Sequence, residues 1–236
     1  MSDHLPRYAR VRANLIERLS AGEWAPGSAL PSEMALAAEF GVSHGTARKA
    51  IDSLVTDGVL FRAQGKGTFV SEQTPELANF RFLRIVDGNG HRAIPELLKW
   101  SSKIEKADPA TAEALHLGVG NKVHRIERTR AIDGTPAILE QIRIPHAIMP
   151  GLGEPGIMPN ALYPWYQSAH AVTVLRTDDQ LSAIAANPET AKALSIAEST
   201  PLLRSVRVAY DLKNRAVEYR ISHFLTEAHS FSISLG

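Results

Sequence analysis

The chain has 236 residues, 44% hydrophobic and 22% charged, enough for two modest domains with real cores and too apolar for a disordered chain. It contains no cysteine, which excludes a disulfide scaffold, thiolate metal sites and a cysteine nucleophile. Twenty-six Lys+Arg against 25 Asp+Glu give a formal charge of +1, so nothing global points to nucleic acid.

A DNA-binding reading must therefore rest on where charges sit, because residues 1–71 hold 8 basic and 7 acidic side chains and the remainder 18 and 18. The opening Met1–Arg12 carries charges and no apolar segment, so no signal peptide is expected. The longest stretch without Lys, Arg, Asp or Glu, Pro155–Leu175, is long enough to test as a membrane span. Pro155, Pro159, Asn160, Pro164, Gln167 and His170 disqualify it. A soluble, cytoplasmic protein without membrane attachment is expected.

The first 70 residues read as three helices and a hairpin. Tyr8, Val11, Leu15 and Leu19 recur at helical spacing, and Gly22 follows as a stop. Trp24-Ala25-Pro26-Gly27 is turn chemistry. Ser32 is a natural N-cap for a second helix over Glu33–Phe40, closed by Gly41. Ser43 caps a third helix running to Asp57, with Ala47, Ala50, Ile51, Leu54 and Val55 inward and Gly45, Arg48, Lys49 and Asp52 on the other side. Only Gly41, Val42 and Ser43 separate these two helices, the spacing of a helix-turn-helix. Val59–Arg62 and Thr68–Val70 then flank Gly65-Lys66-Gly67, a hairpin placed as a wing with Arg62 and Lys66 near its tip. Glycines let such a loop approach a sugar–phosphate backbone, and the cations neutralise phosphates.

Ser71–Asn79 is polar, contains Pro75 and has no sustained period, so a linker is expected there. Beyond it, Asn121–Ile132 and Pro136–Ile144 flank Asp133-Gly134-Thr135, a strong hairpin signal, and Pro201–Leu212 and Ala216–Leu225 flank a second turn at Lys213-Asn214-Arg215. Helices are expected at Pro109–Leu117, around Ala161–Ser168 and at Pro188–Leu194. Hairpins with interspersed helices give an α+β fold.

Five ordered blocks carry a resemblance. Leu30-Pro31-Ser32-Glu33, Phe40-Gly41-Val42-Ser43, Thr46-Ala47-Arg48-Lys49-Ala50, Gly58-Val59-Leu60 and Gly65-Lys66-Gly67-Thr68-Phe69-Val70 together resemble the winged helix-turn-helix head of GntR-family transcriptional regulators. The resemblance implies DNA contacts from Ser32, Glu33, Ser43, His44, Thr46, Arg48 and Lys49 of the helices and from Arg62, Gly65, Lys66 and Thr68 of the wing. Met34 and His44 stand where the family usually has arginines that touch DNA, so the usual operator sequence is not implied. His44 can still donate to a phosphate or base.

The second half has its own ordered features: a Pro-Ala helix ending in Leu-Gly, then Arg128-Thr129-Arg130, Asp133-Gly134-Thr135-Pro136, Glu140, Pro145, Leu162-Tyr163, Pro201-Leu202-Leu203, Tyr210-Asp211 and Val217-Glu218-Tyr219. These resemble the UTRA effector-sensing domain of the HutC subfamily, whose antiparallel-sheet fold is chorismate-lyase-like. The resulting division is a DNA-binding domain over 1–71, a linker over 72–79 and an effector-binding and dimerisation domain over 80–236.

Strand alternation puts Ile126, Arg128, Arg130 and Ile132 on one face, Glu140, Ile142 and Ile144 on one face of the hairpin partner, and Glu218, Arg220, Ser222 and Phe224 together in the last hairpin. Two arginines opposite a carboxylate-bearing strand can grip a small anion while acids orient hydroxyl or amine groups. An Arg–Glu lattice on a solvated face is the plainer alternative. The resemblance places Arg128, Arg130, Glu140, Tyr163 and Glu218 in an effector pocket; Trp165 and Tyr166 can add a stacking wall, and Arg220 and Phe224 are further lining candidates from the strand face of Glu218.

Other signals carry less. Gly151–Gly156 satisfies Gly-x-Gly-x-x-Gly but lacks a preceding strand and a following helix. Gly65-Lys66-Gly67-Thr68 has Phe61 where a phosphate loop needs its first glycine. The nine histidines form no His-x-His or His-x-x-x-His pair, and no Gly-x-Ser-x-Gly elbow occurs. No cofactor or metal is expected, and no catalytic residue. The reading is an effector-responsive DNA-binding regulator: a homodimer on a pseudo-palindromic operator, a repressor released by a small, anionic metabolite. Its rivals are an enzyme acting on a small carboxylate and a DNA binder that ignores ligands.

Overall fold

The computed structural model describes residues 5–152, 156 and 158–233. In chain order its elements are α1 (Arg7–Ser20), α2 (Glu33–Glu39), α3 (His44–Thr56), β1 (Leu60–Ala63), β2 (Gly67–Val70), α4 (Pro75–Phe82), β3 (Ile85–Val86), β4 (Glu96–Lys106), α5 (Pro109–Ala114), β5 (Lys122–Ile132), β6 (Thr135–Pro145), α6 (Leu162–His170), β7 (Val174–Ala185), α7 (Pro188–Leu194), β8 (Pro201–Asp211), β9 (Ala216–Leu225) and β10 (Ser230–Phe231). Residues 153–155 of the Gly151–Gly156 motif lie outside the described residues. Among the described residues no helix is long and apolar enough to cross a membrane.

The chain divides into two compact units. One gathers the chain up to Thr74 with Tyr163–Leu175 and Asp211–Asn214; the other gathers Pro75–Leu162, Arg176–Tyr210 and the chain from Arg215. Two short segments beyond residue 80 therefore group with the N-terminal helices, which a division by chain position does not anticipate.

In the first unit, Val11, Leu15, Leu19, Leu36, Ala50, Ile51 and Leu54 close a core between the three helices, joined by Leu30, Val59, Leu60 and Val70 from the hairpin side. Periodicity alone specifies this packing, because each helix presents one apolar stripe. Leu175 and Leu212 pack against the same core.

The second unit is built on a six-stranded sheet in the order β4-β5-β6-β9-β8-β7. The β4/β5, β5/β6, β6/β9 and β8/β9 pairs are antiparallel. The β5–β6 turn is Asp133-Gly134 with φ of 50° and 74°, the two left-handed residues that a two-residue hairpin of matching twist requires. Register places Arg128 opposite Glu140, Ser222 opposite Glu140 from the other side, and Ser205 opposite Ser222, so one sheet face carries a polar row across four strands. On the other face α5 covers Val123 and Ala216, and α7 covers Leu139 and Leu202.

Residues 75–82, expected from the sequence to lie largely in a linker, form α4. Pro75 suits the first helical position, where its missing N–H costs nothing. The helix lacks a sustained apolar stripe. It is held by burial of Ala78 and Phe82 and by the Phe82 carbonyl accepting from Arg207 Nη2 at 2.7 Å.

Candidate functional site

Two constellations stand out, one in each unit. The first is the start of α3 and its surroundings. Ser43 Oγ accepts from Thr46 N at 3.3 Å and lies 2.9 Å from the Thr46 hydroxyl, while Ser32 Oγ accepts from Ala35 N at 3.2 Å. Both serines cap helices, as their positions implied. Gly41 sits at φ 60°, and the N–H groups of Gly41 and Val42 return to the carbonyls of Ala38 and Ala37. That six-to-one and five-to-two closure makes the turn between α2 and α3 tight. His44, Gly45, Arg48 and Lys49 are exposed at the start of α3.

The acids here position cations. Glu33 accepts from Arg62 Nη2 at 2.7 Å, and its other oxygen lies 2.9 Å from His44 Nε2. Asp52 accepts from Arg62 Nη2 at 2.6 Å and lies 3.9 Å from Arg48 Nε. The hydrogen bond to Glu33, opposed by burial and aided by Asp52, holds the Arg62 guanidinium above its ordinary pKa. Arg62, expected at the wing tip as a free phosphate contact, thus ties β1 to α2 and α3. Lys66 stands exposed between Gly65 and Gly67, at φ 70° and 118°. Thr68 is 9% exposed, and its carbonyl accepts from Leu30 N at 2.8 Å.

The second constellation lies on the polar face of the large sheet. Arg128 Nε donates to Glu140 Oε2, and Arg220 Nη1 donates to Glu140 Oε1 at 2.9 Å. Arg220 also grips Glu218 with two bonds, Nε to Oε1 at 2.9 Å and Nη2 to Oε2 at 2.7 Å. Arg128 Nη1 reaches the Asn160 carbonyl at 3.0 Å. Arg130 Nη2 and Asn160 Nδ2 both donate to the Pro95 carbonyl, at 2.9 and 2.8 Å. All five charged side chains are buried, so the lattice is interior and not the solvated alternative.

Burial alone would raise the Glu140 pKa, but Arg128, Arg220 and Arg130 overcome it and hold the carboxyl well below the usual carboxylate range. Burial pushes Arg130 down to about 10, partly offset by Glu140 and reinforced by Arg128 and Arg220. Among the described residues, Arg130 Nε and Asn160 Oδ1 are buried without a hydrogen-bond partner.

Five predicted residues therefore meet: Arg128, Arg130, Glu140, Glu218 and Arg220. Phe224 shares their face and packs in an apolar cluster with Ile85, Ile132, Ala137 and Ile138. Tyr163 and Trp165 lie on α6, in the other unit; Tyr163 packs 5.7 Å from Tyr166, and Trp165 packs 5.4 Å from His170. Sequence reasoning missed Asn160, which sits in a loop, and the neighbouring Arg207, whose Nε donates to Asp179 at 2.8 Å beside Ser205. Alternation along β8 could have aligned Ser205 with Arg207, but only the strand order brings Asp179 to them. Among the described residues no group of three or more His, Asp or Glu is placed to hold a metal.

Comparison with known proteins matches both halves. Residues 95–230 match the UTRA domain, and residues 7–70 match the bacterial regulatory proteins of the gntR family. The chain is similar to the mannosyl-D-glycerate transport/metabolism system repressor MngR of Escherichia coli K12, 28% identical over 98% of this chain and 96% of that protein. It is also similar to the histidine utilization repressor of Pseudomonas putida, 28% identical over 92% of this chain and 88% of that one. Among solved structures, PhnF from Mycobacterium smegmatis aligns with TM-score 0.56 and 28% identity, covering 96% of this chain and 99% of its own.

Proposed function

Because the chain belongs to the gntR family of bacterial regulatory proteins and carries a UTRA domain, and so is an effector-responsive DNA-binding repressor by type, we propose that its signal is a small anionic metabolite received by the buried Arg–Glu cluster. The observation that carries this reading is a charge imbalance. Three guanidiniums, Arg128, Arg130 and Arg220, face two carboxylates, Glu140 and Glu218, all of them buried. Arg207 and Asp179 add one of each sign and leave the excess cation in place. A buried, incompletely paired cation is costly, and a carboxylate or phosphate at Arg130 Nε offsets that cost while Asn160 Oδ1 accepts from a ligand hydroxyl or amine.

The same electrostatics argue against the enzyme alternative. Glu140 stays ionised through neutral pH and has no proton to donate, and its oxygens are taken by two arginines.

The chain offers a route for the signal. Asn160, held by Arg128, precedes α6 by two residues. Gln167 on α6 accepts from Gln73 N at 2.8 Å and donates to the Ser71 carbonyl at 3.1 Å, just after the wing strand β2. An anion that engages Arg128 competes with the carbonyls of Pro159 and Asn160 for its Nη1 donor, shifts the entry to α6, and through Gln167 biases the segment behind the wing. The bias equals the difference in effector affinity between the two arrangements.

A homodimer on a pseudo-palindromic operator in the cytoplasm completes the reading, because one near-neutral head offers few phosphate contacts. The test is a thermal-shift screen of anionic and uncharged metabolites, with hits assayed for operator release and light scattering for subunit number. A screen in which only uncharged compounds bind contradicts the anionic reading; a monomer contradicts the dimer.

A further inference from the structure

Every described acid of the N-terminal head is engaged in an ion pair. Glu17 meets Lys213, Glu23 and Glu39 meet Arg18, Glu33 and Asp52 meet Arg62, and Asp57 meets Arg12 at 2.7 Å. The head's modest charge therefore conceals an uneven distribution: among the described residues Arg7, Arg10, Lys49 and Lys66 have no carboxylate partner. Lys66 belongs to the wing, and Lys49 Nζ sits 4.3 Å over the Tyr8 ring.

Arg7 and Arg10 are different. Both are exposed on the first turns of α1, three residues apart on one helix face, and both line an open groove of about 440 Å³. Its opposite wall is the turn Phe40–Gly41–Val42, which leads directly into the Ser43 cap of α3. A side chain added at Gly41 would meet nothing within 4 Å, so this wall is open to a large partner. Two contacts fix the direction of α1: Tyr8 lies against Lys49 and Arg12 against Asp57, so α1 and α3 ascend together. The start of α1 thus lies beside the middle of α3, and the groove joins Arg7 and Arg10 to the turn that precedes α3.

We infer that Arg7 and Arg10 form a second phosphate-binding track, engaging the DNA backbone that flanks the groove entered by α3. The helix-turn-helix geometry puts a sugar–phosphate strand at the edge of that groove, where the turn before the recognition helix lies. Guanidinium forks match phosphate oxygens bidentately, and among the described residues no acid lines this groove to compete for them. Such contacts supply affinity and register without choosing sequence.

The test is fluorescence anisotropy of operator and scrambled duplexes across a salt series, using full-length protein and the Arg7→Gln/Arg10→Gln double variant. Both side chains are exposed and unpaired, so the fold is retained; Arg7→Lys/Arg10→Lys serves as the charge-preserving control. The slope of log affinity against log salt should shrink by about 1.8, two contacts at about 0.9 each. Between 50 and 200 mM salt the parent should then lose roughly tenfold more affinity than the glutamine variant. Affinity should fall equally on operator and scrambled DNA, and the lysine variant should keep the parental slope. An unchanged slope, or a loss confined to the operator, overturns the inference; so does a glutamine variant that binds DNA normally but loses an acidic protein partner.

Discussion

Glu140 stands directly opposite Arg128 across the β5–β6 ladder, and both side chains are 2% exposed. A pair buried this deeply contributes little net stability when intact but is costly to break, because the survivor is left as an uncompensated charge. Glu140→Gln should therefore destabilise the protein by about 3–5 kcal/mol in chemical denaturation near neutral pH.

The same residue sets a pH dependence. Its folded pKa lies below the unfolded one, so its contribution is fully present above the unfolded glutamate pKa of about 4.3 and fades as pH falls through the folded value. The stability gap between parent and Glu140→Gln should be constant from pH 6 to 8 and narrow below about pH 4. A gap that widens on acidification would refute the assignment.

Arg130 behaves oppositely. Its cation is buried with one N–H unpaired, and the Pro95 carbonyl it serves keeps a second donor in Asn160. Arg130→Met should leave the free protein within about 1 kcal/mol of the parent, or more stable, while anion affinity falls at least tenfold. Calorimetric titration alongside denaturation separates these two effects.

Gln167 joins α6 to the segment after the wing through two side-chain bonds, to Gln73 and Ser71, and a third bond goes to Thr173 just beyond α6. Gln167→Ala should bind effector with parental affinity yet release operator poorly. Parental release by this variant would exclude the proposed route.

Arg48 is exposed near the start of α3, with its nearest carboxylate 3.9 Å away and its guanidinium accessible to DNA. A bidentate base contact is worth about 1–3 kcal/mol, so Arg48→Ala should weaken operator binding tenfold or more and narrow the operator-to-scrambled ratio. An unchanged gel-shift titration would show that α3 docks differently.

What the sequence made legible follows the strength of local signals. The three helices of the head and both long hairpins were readable because apolar stripes, serine caps and the Asp133-Gly134 turn each act within a few residues. The edge strands β4 and β7 were not. β4 has a register shift between Leu97 and Lys99, and β7 is mostly exposed, so neither carries clean alternation. Helix α4 was hidden for a related reason: its hold comes from Ala78 and Phe82 meeting distant residues.

The site divides along the same line. Arg128, Arg130 and Glu140 lie on adjacent strands of one hairpin, so alternation and register bring them together. Glu218 and Arg220 join only through the β6–β9 pairing, and the reading that reached them also included Phe224, whose ring packs in an apolar cluster. Asp179 and Arg207 required strand order, which no local pattern encodes. In the head, the engagement of Arg62 by Glu33 and Asp52 leaves Arg7, Arg10, Lys49 and Lys66 as the cations without a carboxylate partner among the described residues, a balance that a net charge of +1 does not reveal.

The most direct test is operator release measured by anisotropy during titration with each anionic metabolite that shifts the melting temperature, each paired with its uncharged counterpart, for the parent and Arg130→Met. The anion should free operator from the parent, its neutral counterpart should not, and Arg130→Met should stay bound at the same anion concentration. Release by the neutral counterpart, or equal release of Arg130→Met, would contradict the anionic reading.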